Sequence, residues 1–130
     1  MREQWAATPP GIRGIVLTLD RATLSARIDQ RTAAMFADGV IDEVRACGDT
    51  SPTAGQTLGL REIRTHLAGE ITRADCIAAI QLATRRYAKR QMTWFRRETF
   101  LEPTDVASIS DLGQLAEPLA RQAACQPYNP

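Results

Sequence analysis

Six cationic side chains, Arg85, Arg86, Lys89, Arg90, Arg96 and Arg97, fall within thirteen consecutive positions of a 130-residue chain whose formal net charge is only +1. No acid interrupts them, so the rest of the chain is net negative and the positive charge is concentrated here. Arginine forks grip phosphate oxygens in pairs, and neutralising a polyanion releases its counterions, so a run of this kind suits a phosphate backbone. At about 100° per residue the six cations project onto one face of a helix, with Thr93 among them. Ile77, Ile80, Tyr87, Trp94 and Phe95 project onto the other face, which is predicted to seek the core. Gln91 falls inside that apolar arc and needs hydrogen-bond partners if it is buried. A plain solvated face is the bland alternative, but such faces carry acids at i, i+4 spacing, and none follows here until Glu98. Nucleic acid is the favoured ligand, ahead of an anionic membrane, which would want the aromatic residues exposed. Trp94 reads on this pattern either as core or as a stacking partner for a base.

Two further signals involve anions. In the segment LSARIDQRTAAMFA, Leu24, Ile28 and Met35 form a helical stripe, and Arg31 projects into its middle, where it would be poorly solvated. Two readings are open for Arg31: a structural salt bridge to Asp20 or Glu43, or a partly desolvated cation aimed at a phosphate or diphosphate. The segment GQTLGLRE, residues 55–62, has two glycines running into a helix with Arg61 in its first turn. Free N–H groups and the positive end of the helix dipole favour an anion there, although glycines also serve plain turns. The single histidine, His66, reads as a helix-surface residue, and no Ser/His/Asp set can be built around it. Cys47, Cys76 and Cys125 are odd in number and widely spaced, which argues against a zinc site or a disulfide framework and for a reducing cytoplasm.

The elements that must position these residues are mostly helical. Residues 12–20, IRGIVLTLD, read as one buried strand. A lone strand leaves backbone groups unpaired, so its partners are expected in another chain or in a larger sheet. Helices are predicted from Arg21 to about Ala37, from Val40 to near Cys47, and from Leu60 to Leu67, the last closed by Gly69. Thr72 and Asp75 resemble a capping box that opens a long helix reaching about Glu98. TFLEP reads as a short extended segment, Ser110 to about Ala124 as a last helix bent by Pro118, and residues 1–11 and 125–130 as loose. The length suits one small domain, the 44% hydrophobic and 24% charged content suits a globular one, and no apolar run approaches the ~20 residues of a membrane span. A cytoplasmic protein is expected.

The sequence KRQMTWFRR, residues 89–97, preceded by ATRRYA, resembles the signature near the C-terminal end of the tRNA dimethylallyltransferases, also called tRNA isopentenyltransferases. GQTLGLREI and the helix of LSARIDQRTAAMFADGVIDEV resemble two further family segments, in family order and spacing. The resemblance covers about residues 12–103. It implies an α/β fold: the mainly helical C-terminal portion of a P-loop nucleotide-kinase-like fold, with one parallel-sheet strand near residues 12–20 followed by helices, making a single partial domain of residues 1–130. The implied activity is transfer of a dimethylallyl group from its diphosphate to N6 of the adenosine beside the anticodon, with the base flipped out of its stack.

The implied tRNA-contacting residues are Gln56, Thr57, Leu58, Gly59, Leu60 and Arg61 on one segment, and Lys89, Arg90, Gln91, Met92, Thr93, Trp94, Phe95 and Arg96 on the other. Arg31 is the implied diphosphate ligand. Leu60 stands where many members have tyrosine. The implied partners are the tRNA anticodon stem-loop, dimethylallyl diphosphate and Mg2+, with the metal ligands outside this sequence and no membrane. The family's G-x-x-x-x-G-K-[ST] loop does not occur, since Lys89 is the one lysine and follows Ala88. The segment that supplies the family's catalytic aspartate is not found either, so no catalytic residue is assigned. A non-catalytic RNA-binding module, one half of a split enzyme joined by a P-loop partner chain, and a truncated product that exposes Ile15, Val16 and Leu17 are the alternatives.

Overall fold

The computed structural model describes residues 14–109 and Gly113; the proposed last helix at 110–124, the terminal segments, Cys125 and the first residues of the strand at 12–13 lie outside this range. Two compact units are distinguished, one made of Asp20–Met92 and the other of the described residues on either side of it.

The flanking unit holds β1, Gly14–Thr18, and β2, Leu101–Asp105, paired in parallel with Gly14 opposite Leu101 and Thr18 opposite Asp105. The strand expected to be alone therefore has a partner, from the segment read only as extended. β2 escapes a hydrophobicity pattern because Glu102, Pro103 and Asp105 are exposed. Pro103, opposite Val16, has no N–H to donate, which suits an edge strand. The expected burial of β1 is also corrected: Ile15 and Val16 are half-buried and Leu17 is 47% exposed. The strands approach so closely at Gly14 that a Cβ there would lie 2.8 Å from Leu101 Cδ2.

The other unit is helical. Asp20 caps α1, Arg21–Ala37, its Oδ1 accepting from the N–H groups of Ala22 (3.0 Å) and Thr23 (2.9 Å). Its C-cap, Asp38, leads through Gly39 into α2, Val40–Ala46. A loop containing a 3-10 turn, Ala54–Gln56, follows, then α3, Leu60–Leu67. Thr72 opens α4, Arg73–Phe95: its Oγ1 accepts from the Asp75 N–H (3.1 Å) and donates to the Asp75 carboxylate (2.6 Å). The capping box is thus made differently from the usual one, with the hydroxyl rather than the Thr72 N–H meeting the acid.

Phe36 of α1, Ile63 of α3, and Cys76 and Ile80 of α4 form the core, with Val40, Ile41, Val44, Leu67, Ile71 and Ile77 packed around them. The buried stripe of α1 is Ile28, Thr32 and Phe36, which shares Ile28 with the expected stripe but is turned toward Phe36, and Met35 is 37% exposed. Thr32 can occupy a core position because its hydroxyl donates to the Ile28 carbonyl (2.8 Å), which satisfies the polar atom within the helix. Arg73 ties the start of α4 to the end of α1, donating to the Phe36 carbonyl (2.9 Å) while its guanidinium lies 5.7 Å from the centre of the Phe36 ring.

Candidate nucleic-acid interface

Gly59 stands at the start of α3 with φ 92°, a backbone conformation that side chains disfavour. A carboxylate oxygen of Glu62 accepts its N–H (3.1 Å), and a Cβ on Gly59 would lie 3.8 Å from Ile80 Cδ1. GQTLGLRE is therefore seated on α4 through a buried glycine, while Gln56, Thr57, Leu58 and Arg61 face solvent and Leu60 is half-buried. Arg61 is 81% exposed and donates to the other oxygen of Glu62 (3.0 Å), which leaves most of its fork available. Because Glu62 already accepts the N-terminal N–H of Gly59, the helix end offers fewer free donors than its two glycines suggested.

Lys89 lies nine residues beyond Ile80, about 13 Å along the helix axis. In the helical unit Arg86, Lys89, Arg90 and Gln91 are exposed and Met92 is half-buried. Exposure of Gln91 removes its need for internal partners. In the flanking unit Thr93, Trp94, Arg96 and Arg97 are exposed, and Phe95 is half-buried with its ring edge-to-face on Trp94 at 5.1 Å. The expected core-seeking face of α4 is accordingly buried only at its start. The core engages Cys76, Ile77 and Ile80, whereas Tyr87 is 49% and Trp94 55% exposed. A helical projection ranks positions by direction alone and cannot show where the neighbouring helices stop.

The cation run is not wholly without an acid. Arg85 donates to Asp29 of α1, a contact the spacing along α4 could not reveal because the acid comes from 56 residues away. Among the described residues Arg86, Arg90, Arg96 and Arg97 make no ion pair, and the Arg90 guanidinium lies 5.8 Å from the centre of the Tyr87 ring.

Arg31 is exposed rather than held in the core, because the buried stripe is turned toward Thr32 and Phe36. Asp20 serves as the helix cap, and no carboxylate among the described residues pairs with Arg31, so neither expected structural bridge forms. It lies about 200° round α1 from Asp29, away from the side that meets Arg85. His66, expected on the surface, is half-buried, its Nδ1–H donating to the Ile71 carbonyl (2.9 Å), a structural role across the turn that ends α3. Cys47 and Cys76 are free thiols, and burial, reinforced by the charge of Glu62, pushes the Cys76 thiol up from its ordinary value. Such a thiol stays protonated and inert.

Comparison with known proteins resolves what kind of chain carries this surface. The family model described as IPP transferase matches residues 2–98. The chain belongs to the IPP transferase family. Among curated members, the tRNA dimethylallyltransferase of Akkermansia muciniphila is 43% identical over 110 residues, covering 85% of this chain and 37% of that protein. That of Symbiobacterium thermophilum is 44% identical over 110 residues, covering 82% of this chain and 34% of the relative. The crystal structure of full-length tRNA isopentenylpyrophosphate transferase from Bacillus halodurans aligns with a TM-score of 0.75 at 29% identity, over 93% of this chain and 41% of that one. The chain thus spans little more than a third of the length of these curated IPP transferase relatives. The fold shared over the aligned part is the mainly helical one described above, to which this chain's described residues add a two-stranded parallel sheet.

No group of three or more His, Cys, Asp or Glu among the described residues is placed to hold a metal ion. No helix among them is long and apolar enough to cross a membrane.

Proposed function

We propose that this chain supplies the tRNA-contacting part of a cytoplasmic tRNA dimethylallyltransferase, gripping the anticodon stem-loop through the cations of α4 and the exposed residues of the 56–61 segment. The observation that carries the reading is a run of arginines left exposed, four of them without an ion pair, in a chain of the IPP transferase family. Four unpaired like charges in one stretch repel one another, and a phosphate backbone reverses the sign of that contribution on binding. Arg61, with most of its guanidinium free, extends the positive potential to α3. The exposed rings of Tyr87 and Trp94 suit unstacked bases, whose faces stack on aromatic side chains without regard to sequence.

In the transfer, the N6 amine of adenosine forms a bond to C1 of dimethylallyl diphosphate. The C–O bond to the diphosphate breaks with its electron pair leaving on oxygen, and the amine gives up a proton. Within this chain Arg31 is the cation we assign to the departing diphosphate, being exposed and unpaired on a rigid helix. The cradle of backbone N–H groups and lysine that such a group needs is expected from a P-loop outside the described residues, either in the same enzyme or in a partner chain.

The reading is tested with an anticodon stem-loop RNA bearing adenosine beside the anticodon, dimethylallyl diphosphate and magnesium. Binding and prenylation are followed together across a salt series, with and without the P-loop half of a relative. The expected result is salt-sensitive binding by the chain alone and product only with the added half. A chain that shows no salt-sensitive affinity for the stem-loop sinks the proposal.

A further inference from the structure

Arg85 differs from the other cations of α4. Its guanidinium donates to Asp29 Oδ1, while Arg86 and Arg90 on the same helix make no ion pair among the described residues. The pair is wet: the side chains are 36% and 47% exposed, so water and solutes reach both groups. Among the described residues Asp29 takes no other hydrogen bond from side chain or backbone outside its own helix ladder, and it is held in place by Arg85 alone. A charge pair built for rigidity is normally dry and further hydrogen-bonded. An exposed pair with one contact is easily exchanged, and its carboxylate presents oxygens to the guanidinium much as a phosphodiester does.

We propose that Asp29 is an internal stand-in for an RNA phosphate: it occupies Arg85 while the surface is empty and yields it when a phosphate of the bound RNA arrives. This inference rests on the reading of the α4 surface as RNA-binding and adds a restraint to it. An RNA that seats a phosphate on Arg85 displaces the carboxylate and recovers the attraction. An RNA that cannot do so meets a neutral pair in place of a free cation. Asp29 therefore withholds one charge until a phosphate displaces it, and any RNA that takes Arg85 does so at the cost of an exposed pair.

The test is a double-mutant cycle on the 130-residue chain with D29N, R85Q and the pair together, read as affinity for an anticodon stem-loop RNA against salt. D29N keeps the shape of the side chain and removes its charge. It is expected to tighten binding roughly one-and-a-half- to fivefold at low salt, the fold-change corresponding to an exposed pair. The slope of log affinity against log salt should steepen by about 0.7 to 0.9, one phosphate's worth. R85Q should weaken binding, and in its presence D29N should leave the slope unchanged. Equal tightening by D29N in both backgrounds, which mere net charge would produce, overturns the inference, as does weaker binding by D29N, which would mean that Asp29 orients Arg85 for its ligand.

A second measurement needs no substitution. The carboxyl carbon resonance of Asp29 should move on titration of the unsubstituted chain with the stem-loop as its partner is withdrawn, and a resonance that holds to saturation overturns the exchange. An unsubstituted chain that binds no RNA removes the RNA-binding reading and this inference with it, whereas binding with a failed cycle removes this inference alone.

Discussion

Replacing Gly59 by alanine isolates the backbone requirement at the 56–61 segment. The residue has φ 92°, and a Cβ there would rest at 3.8 Å from Ile80 Cδ1, an ordinary contact distance. Sterics against the core are therefore not the problem; the strain lies in the backbone angle, which costs an L residue about 1–3 kcal/mol. Relaxing that angle would swing the Gly59 N–H off Glu62, a hydrogen bond to a charged acceptor worth about 1.5–3 kcal/mol, so the chain escapes one cost only by incurring the other. Gly55 provides the control: its Cβ would meet Thr50 Oγ1 at 3.6 Å, and its φ is not among the positive ones. G55A should be near neutral or stabilising by about 0.4–1 kcal/mol through loss of unfolded-state freedom. Urea unfolding followed by circular dichroism gives both numbers, and G59A should lower the transition midpoint while leaving the slope unaltered. If G59A costs no more than G55A, the argument that this loop requires glycine for its backbone is wrong.

Other perturbations address the remaining elements. R73A removes the contact to the Phe36 carbonyl and the cation–π contact with the Phe36 ring that join α1 to α4, and should destabilise the helical unit by about 1–2 kcal/mol in urea, with R73K recovering only part because lysine lacks the planar fork. R86Q and R90Q should each reduce the salt slope of RNA binding by about 0.7–0.9 without shifting the urea midpoint, since neither arginine has an ion-pair partner to lose. Asp20 gives a pH signature. Hydrogen bonds from the Thr23 hydroxyl and N–H hold its carboxyl below its ordinary value of 3.8, so its contribution to stability is complete above that value and is lost as pH falls through the lower folded one. Stability against pH should accordingly have an acid limb that D20N flattens.

Most helix boundaries were legible because they are written in local chemistry, with Gly39, Gly69 and Thr72 at turns and caps, whereas α4 ends at Phe95, short of the expected Glu98, and Asp20 proves to be a cap and not the end of the strand. What depended on contacts distant in sequence was not. β2 carries no apolar alternation because much of it is exposed, so its pairing with β1 could not be read from LEPTD alone. The direction of the α1 stripe was misread, with Ile28 right and Met35 wrong, because Thr32 is polar by type yet self-satisfied in the fold. Arg31 then moved from core to surface with it. The stretches of α4 and of the 56–61 segment stand out in the sequence, but their environments do not: Gly59 is buried against Ile80 and Trp94 is open.

The same distinction governs the charge argument. Counted along the chain, six cations without an acid between them look equally available. In the folded molecule they are unequal, since Asp29 neutralises Arg85 while Arg86 and Arg90 keep their full charge. Exposed unpaired charges act over roughly a Debye length and draw in any polyanion, whereas a paired charge contributes only to a ligand able to displace its partner. On the proposed reading, first attraction and later exchange thus fall to different arginines of one helix. The division depends on an acid from α1, so on the proposed RNA-binding reading a relative that kept the α4 signature but had a neutral residue in place of Asp29 would bind RNA through the same motif with a steeper salt dependence.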